Sequence, residues 1–137
     1  EANRTGLPVR IAIPYRLLIR AIGIVPDVRR CVTMDLKAAG NALVLAYAPV
    51  DRAGLDDAYR LHRKVAALIA DGRVLAAHDV SDGGLLVAIA EMCIASGLGA
   101  SVKVDAAAAF EVTATTYVLE MSDADATKCG FTRLGRV

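Results

Sequence analysis

Between Val74 and Ser96 an apolar stretch, Val74–Ala77, runs straight into the polar turn His78-Asp79-Val80-Ser81-Asp82-Gly83-Gly84, and an apolar helical pattern starts at Leu85. Strand, turn, paired glycines and helix in immediate succession leave few architectures open. A strand this short must pair within a sheet, and the helix that follows must cover one of its faces. The glycines let the backbone take positive φ and approach another group closely. Gly97 and Gly99 are stop signals that end the helix near Ser96.

The flanking sequence extends the alternation. Apolar residues Leu61, Val65, Leu68 and Ile69 recur at helical spacing, which predicts a helix from about Ala58 to Ala70. Asp56 or Asp57 is the expected cap and Gly72 the expected stop. Strand character is read at Val9–Ile13, Ala42–Ala46, Val102–Val104 and Thr116–Met121, and a second extended segment at Arg30–Met34 follows a turn at Pro26. Leu17–Ile24 fits either strand or helix. Ala38–Asn41 reads as a loop, Ala106–Ala109 as a small low-complexity patch, and no internal repeat is seen. The order predicts an α/β (mixed α+β) domain, a mixed sheet packed with helices.

Composition narrows the function classes. The chain has 137 residues, 55% of them hydrophobic, above the roughly 45–50% of ordinary globular chains. A mean hydropathy of +0.45 leaves a thin polar surface. Another domain, a partner subunit or a symmetry mate in a homo-oligomer is expected to cover some of it. A net charge of +1 with dispersed basic residues and 4% aromatics argues against nucleic-acid binding. No apolar run is long enough to cross a membrane. Three widely spaced cysteines, Cys31, Cys93 and Cys129, form neither a disulfide framework nor a CxxC motif, so a reducing cytoplasm is the expected compartment.

The turn at 78–84 carries the chemistry. Helix-start N–H groups lack intrahelical partners and the dipole adds positive charge there, so the position suits a phosphate. Asp79 and Asp82 are candidate Mg²⁺ ligands, since Mg²⁺ takes one or two carboxylates with phosphate oxygens and water. Ser81 can donate to a phosphate oxygen. The same residues also read as a plain helix start, with Ser81 or Asp82 as N-cap and the glycines making the turn. An Asp at a helix start repels phosphate unless a cation lies between them. Elsewhere Cys93 is expected in the core and Glu91 to cap or pair with a neighbouring domain. His62 is expected on a solvated face, and Arg29 and Arg30 in ion pairs with Asp27 and Asp35.

His78–Met92, HDVSDGGLLVAIAEM, resembles the segment in the last synthetase-type domain of the phosphoribosylformylglycinamidine synthase family. Ile24–Lys37, IVPDVRRCVTMDLK, followed by Gly40-Asn41, resembles the link into that domain, and Phe131–Val137 resembles its closing strand. The resemblance implies that residues 1–38 are the tail of a preceding ATP-binding synthetase-type domain with its linker. Residues 39–137 would then be the C-terminal synthetase-type domain. It implies ATP and Mg²⁺ as cofactors, with Asp79 at the metal and Ser81, Asp82, Gly83 and Gly84 at the nucleotide, and assigns no residue here a catalytic role.

The implied reaction is an ATP- and glutamine-dependent ligation turning formylglycinamide ribonucleotide into its amidine in purine biosynthesis. A glutaminase domain or subunit would supply ammonia, and this chain alone is expected to be inactive. Two departures stand out. A Gly-Gly-Ser loop expected after Ala42–Ala46 is missing, and Phe110–Arg136 is short, so the chain is either a fragment or a form with loops left out. Aminoimidazole ribotide synthetase, of the same superfamily, and a non-catalytic nucleotide-binding or packing module are the competing readings.

Overall fold

Pleated strands with side chains alternating between two buried faces make up the centre of the domain. The computed structural model describes residues 19–49 and 55–137. The expected strand at Val9–Ile13 lies outside the described residues, as does the join between Pro49 and Asp51. Of the Leu17–Ile24 segment, residues 19–24 are described, and they form neither strand nor helix.

In chain order the elements are β1 (Ala42–Tyr47), α1 (Leu55–Ala70), β2 (Val74–Asp79), α2 (Gly84–Ser96), β3 (Ser101–Val102), β4 (Thr116–Met121), α3 (Asp123–Lys128) and β5 (Thr132–Arg136). The sheet order is β2-β4-β1-β5-β3. The α/β class and the helix-packed sheet agree with the sequence reading. The expected mixture of strand directions does not, because the described pairings are all antiparallel. β1 and β2, joined by α1, do run in the same direction, but β4 is inserted between them and is antiparallel to both. β1 separates β4 from β5 in the same way.

The alternation on β1 divides the core. Ala42, Val44 and Ala46 face α1 and α3, meeting Leu61, Val65, Leu68 and Ala126. Leu43 faces α2, in a cluster with Leu85, Ala88, Ile89, Met92, Val118 and Leu134. Leu43 and Met92 are wholly buried, and burial of each contributes about 1.5–3 kcal/mol. Helices on both faces explain why β1 reads as a continuous apolar run.

Helix ends follow local chemistry. α1 stops where Gly72 takes φ +71°; its N–H donates to the Ile69 carbonyl and the Arg73 N–H to that of Leu68, each at 2.9 Å. α1 begins three residues before the expected Ala58, so Asp56 and Asp57 sit inside the first turn, where they favour the dipole, and do not precede it as caps. The predicted extended segment Arg30–Met34 is instead a 3₁₀ turn, Val28–Arg30, capped by Asp27, followed by irregular chain. One bond ties it to the sheet edge, from the Ala77 N–H to the Thr33 carbonyl at 3.1 Å. α3 was not predicted. Its six residues carry no long apolar face, and it forms because Ser122 accepts the Asp125 N–H and Ala126 packs on the sheet.

Candidate functional site

The His78–Gly84 turn lies at the C-terminal end of β2. The strand extends two residues past the expected Ala77, because His78 pairs with Val118 and Asp79 with Tyr117 on β4. Alternation then sends the two side chains to opposite faces. His78 turns towards α2 and is largely buried. Its Nε2 lies 3.1 Å from a carboxylate oxygen of Glu91, and its Nδ1 lies 2.7 Å from the Asp79 carbonyl. Glu91, expected to cap or to meet a neighbouring domain, is thus engaged inside this one.

Asp79 is exposed and borders a shallow pocket of about 320 Å³ lined by Met34, Ala77, His78 and Tyr117. Burial, followed by the nearby Asp79 charge, pushes the Tyr117 phenol above its ordinary value and keeps it protonated. That hydroxyl is 2.7 Å from His62 Nδ1 on α1, so His62, exposed as predicted, has a partner across the helix–sheet boundary. Among the described residues no three His, Cys, Asp or Glu side chains gather into a self-contained metal site. One exposed carboxylate is nonetheless a sufficient protein contribution for a Mg²⁺ held mainly by phosphate oxygens and water.

Ser81 and Asp82 are exposed, and neither caps α2. The cap is Gly83 at φ +91°, with no side-chain bond, and the Gly84 N–H donates to the Ser81 carbonyl at 3.0 Å. The chain's own loop occupies much of the helix start. The Leu86 N–H donates to the Ala109 carbonyl at 2.9 Å. Gly84, buried at φ +78°, packs so closely against Phe110 that an added Cβ would lie 2.5 Å from its backbone carbon. The close approach that the paired glycines permit is, at Gly84, an approach by residues 109–111.

Sequence reasoning missed Glu120. It is wholly buried on β4, and its carboxylate accepts from the Lys37 N–H at 2.7 Å, the Ala38 N–H at 3.1 Å and the Asn41 amide at 2.6 Å. The available signal was one acid in the otherwise uncharged strand TYVLEM. Arg29 pairs with Asp27 as predicted, whereas Asp35 pairs with Lys37, and Arg30 donates to the Ala70 carbonyl. Cys93 is only partly buried against the α2-side core, and that burial pushes its thiol up.

Residues 36–126 match the family described as AIR synthase related protein, C-terminal domain. The phosphoribosylformylglycinamidine synthase subunit PurL of Deinococcus radiodurans is 33% identical over 136 residues, covering 79% of this chain and 18% of that protein. The alignment takes only 79% of a 137-residue chain, so the relative carries residues with no counterpart here. The same subunit of Azorhizobium caulinodans is 39% identical over 104 residues, 61% of this chain and 14% of that one. The solved structure of T. maritima PurL complexed with AMPPCP superposes with a TM-score of 0.61 at 18% identity, over 74% of this chain and 20% of that one. The chain thus spans less than a fifth of the length of these two relatives.

Proposed function

Because the chain belongs to the family of AIR synthase related proteins through their C-terminal domain, we propose that it is the closing synthetase-type segment of a phosphoribosylformylglycinamidine synthase. In this reading residues 1–38 belong to a preceding ATP-binding domain and its linker, and residues 39–137 to the C-terminal domain. The full-length enzyme joins ammonia, released from glutamine by a glutaminase domain or subunit, to formylglycinamide ribonucleotide at the expense of ATP, in the cytoplasm. The gapped alignment with the Deinococcus relative supports a domain with shortened loops.

The observation that carries the site assignment is the exposed Asp79 carboxylate at the end of β2, beside a pocket and next to the turn of Ser81 and Asp82. Asp79 would hold Mg²⁺, whose charge neutralises phosphate oxygens during transfer. The Ser81 hydroxyl would donate to a phosphate oxygen, and Asp82, Gly83 and Gly84 would shape the approach. The His78 ring lies between the Glu91 carboxylate and the Asp79 carbonyl, at the strand end from which the Asp79 carboxylate projects.

Titrating Mg²⁺-ATP into the full-length enzyme and its Asp79→Asn variant tests this. The substitution keeps shape and removes charge, so affinity should fall by about tenfold or more while the melting temperature holds. Equal affinity in both would remove Asp79 from the site. A second reading, a non-catalytic packing module, is favoured by the loop that fills the start of α2 at Leu86 and Gly84. Glutamine-dependent amidine formation in the full-length protein, lost on Asp79→Asn, separates the two. A glutamine requirement also excludes aminoimidazole ribotide synthetase.

A further inference from the structure

A buried carboxylate with no cation against it is costly unless donors satisfy its oxygens. Glu120 is wholly buried, and its bonds run to the Lys37 and Ala38 N–H groups and to the Asn41 amide. Two of these donors are backbone groups of the irregular segment that enters the domain ahead of β1. That segment is held at further points. The Leu36 side chain is buried in the α2-side core. The Thr33 carbonyl accepts the Ala77 N–H of β2. Lys37 Nζ reaches back to Thr33 Oγ1 and Asp35 Oδ2, each at 2.7 Å. Residues 33–38 thereby form a strap across the edge of β2, and the residue beyond Thr33 on it, Met34, is one wall of the pocket that Asp79 borders.

We propose that Glu120 is a positioning residue for the Asp79 site: it fixes the strap, and the strap sets the Met34 wall against which a bound phosphate ester rests. The proposal depends on the reading of Asp79 given above, and it extends that site to residues from a segment that the sequence assigns to the linker. The chemistry is specific to a carboxylate. One oxygen takes the Lys37 N–H and the other takes the Ala38 N–H and the Asn41 amide. In Glu120→Gln the side-chain NH₂ must replace one of these acceptors, so at least one strap donor faces another donor. Size is unchanged, so the sheet core is kept.

The test uses the full-length enzyme, with Mg²⁺-ATP as probe and hydrogen exchange resolved at single amides. In Glu120→Gln the Lys37 or Ala38 amide should exchange about tenfold or more faster, and Mg²⁺-ATP should bind about tenfold more weakly per folded molecule. Met34→Ala, which removes the exposed wall and leaves every Glu120 bond in place, should weaken binding without changing those amides. It also decides the matter if Glu120→Gln does not fold. Amides that loosen with affinity unchanged, amides that stay protected, or a Met34→Ala variant with full affinity would each overturn the proposal. Asp79→Asn measured alongside tells the two failures apart. Binding that survives Asp79→Asn removes the Asp79 site and this proposal with it. Binding lost in Asp79→Asn but kept in Glu120→Gln removes only the role of Glu120.

Discussion

Thr115, at φ +55°, is the one non-glycine residue in the left-handed region among those described. A β-branched side chain there is strained, and its carbonyl still accepts the Ala48 N–H at 3.2 Å, so the turn into β4 is held by its bonds. Thr115→Asn, a residue that tolerates this conformation, should stabilise the fold by about 0.5–1 kcal/mol in urea melts. Acid sensitivity is also set residue by residue. Lys37 and Thr33 lower the Asp35 carboxyl from 3.8 to about 2, and Arg133 holds Asp123 below its usual range. A depressed folded value means that the contribution of Asp35 is fully present above 3.8 and is lost as pH falls towards about 2. Urea midpoints measured across that window should fall with acid, and Asp35→Asn should flatten the slope. An unchanged slope would show that the strap ion pair contributes nothing.

At the scale of elements, the start of α2 and the start of α3 respond to different chemistry. α2 has no side-chain cap, and it relies on Gly83, Gly84 and the loop at 109–111. Gly84→Ala meets both a positive φ and the Phe110 backbone, so it should destabilise by well over the about 1 kcal/mol of a turn glycine alone. It should also free the Leu86 amide to exchange. Gly83→Ala also meets a positive φ, but its only close contact is Val87 of its own helix, so it should leave that amide protected. α3 instead depends on Ser122, whose Oγ accepts the Asp125 N–H at 3.1 Å. Ser122→Ala should lower stability by about 1 kcal/mol without affecting nucleotide binding, as paired denaturation and titration would reveal.

Over the whole molecule, apolar residues remain uncovered along the entering segment: Ile22, Ile24 and Val28 are each more than three-quarters exposed. The isolated chain should therefore associate as concentration rises. Replacing Ile22 and Ile24 with Ser should shift sedimentation profiles towards monomer, and a chain monomeric at all concentrations would count against this surface needing cover. Much of the architecture was legible in the sequence. Thr116–Met121 was bounded to the residue, and β1, α1, β2 and α2 to within a few, because each pairs a clear hydrophobic period with Gly or Asp punctuation. Local sequence also located the turn at 78–84 and its charged residues. It could not place β4 between β1 and β2, because strand order follows from long-range pairing that no local pattern encodes. Nor could it find the donors of Glu120, which lie about eighty positions away, or foresee that residues 109–111 would settle on Gly84. Sequence alone determined which segments are strand and helix and where the chemistry-bearing turn lies, since both depend on neighbours in the chain. Tertiary structure decided which side of that turn is open, because backbone from a distant loop covers the helix start while the Asp79 face of the sheet edge stays exposed.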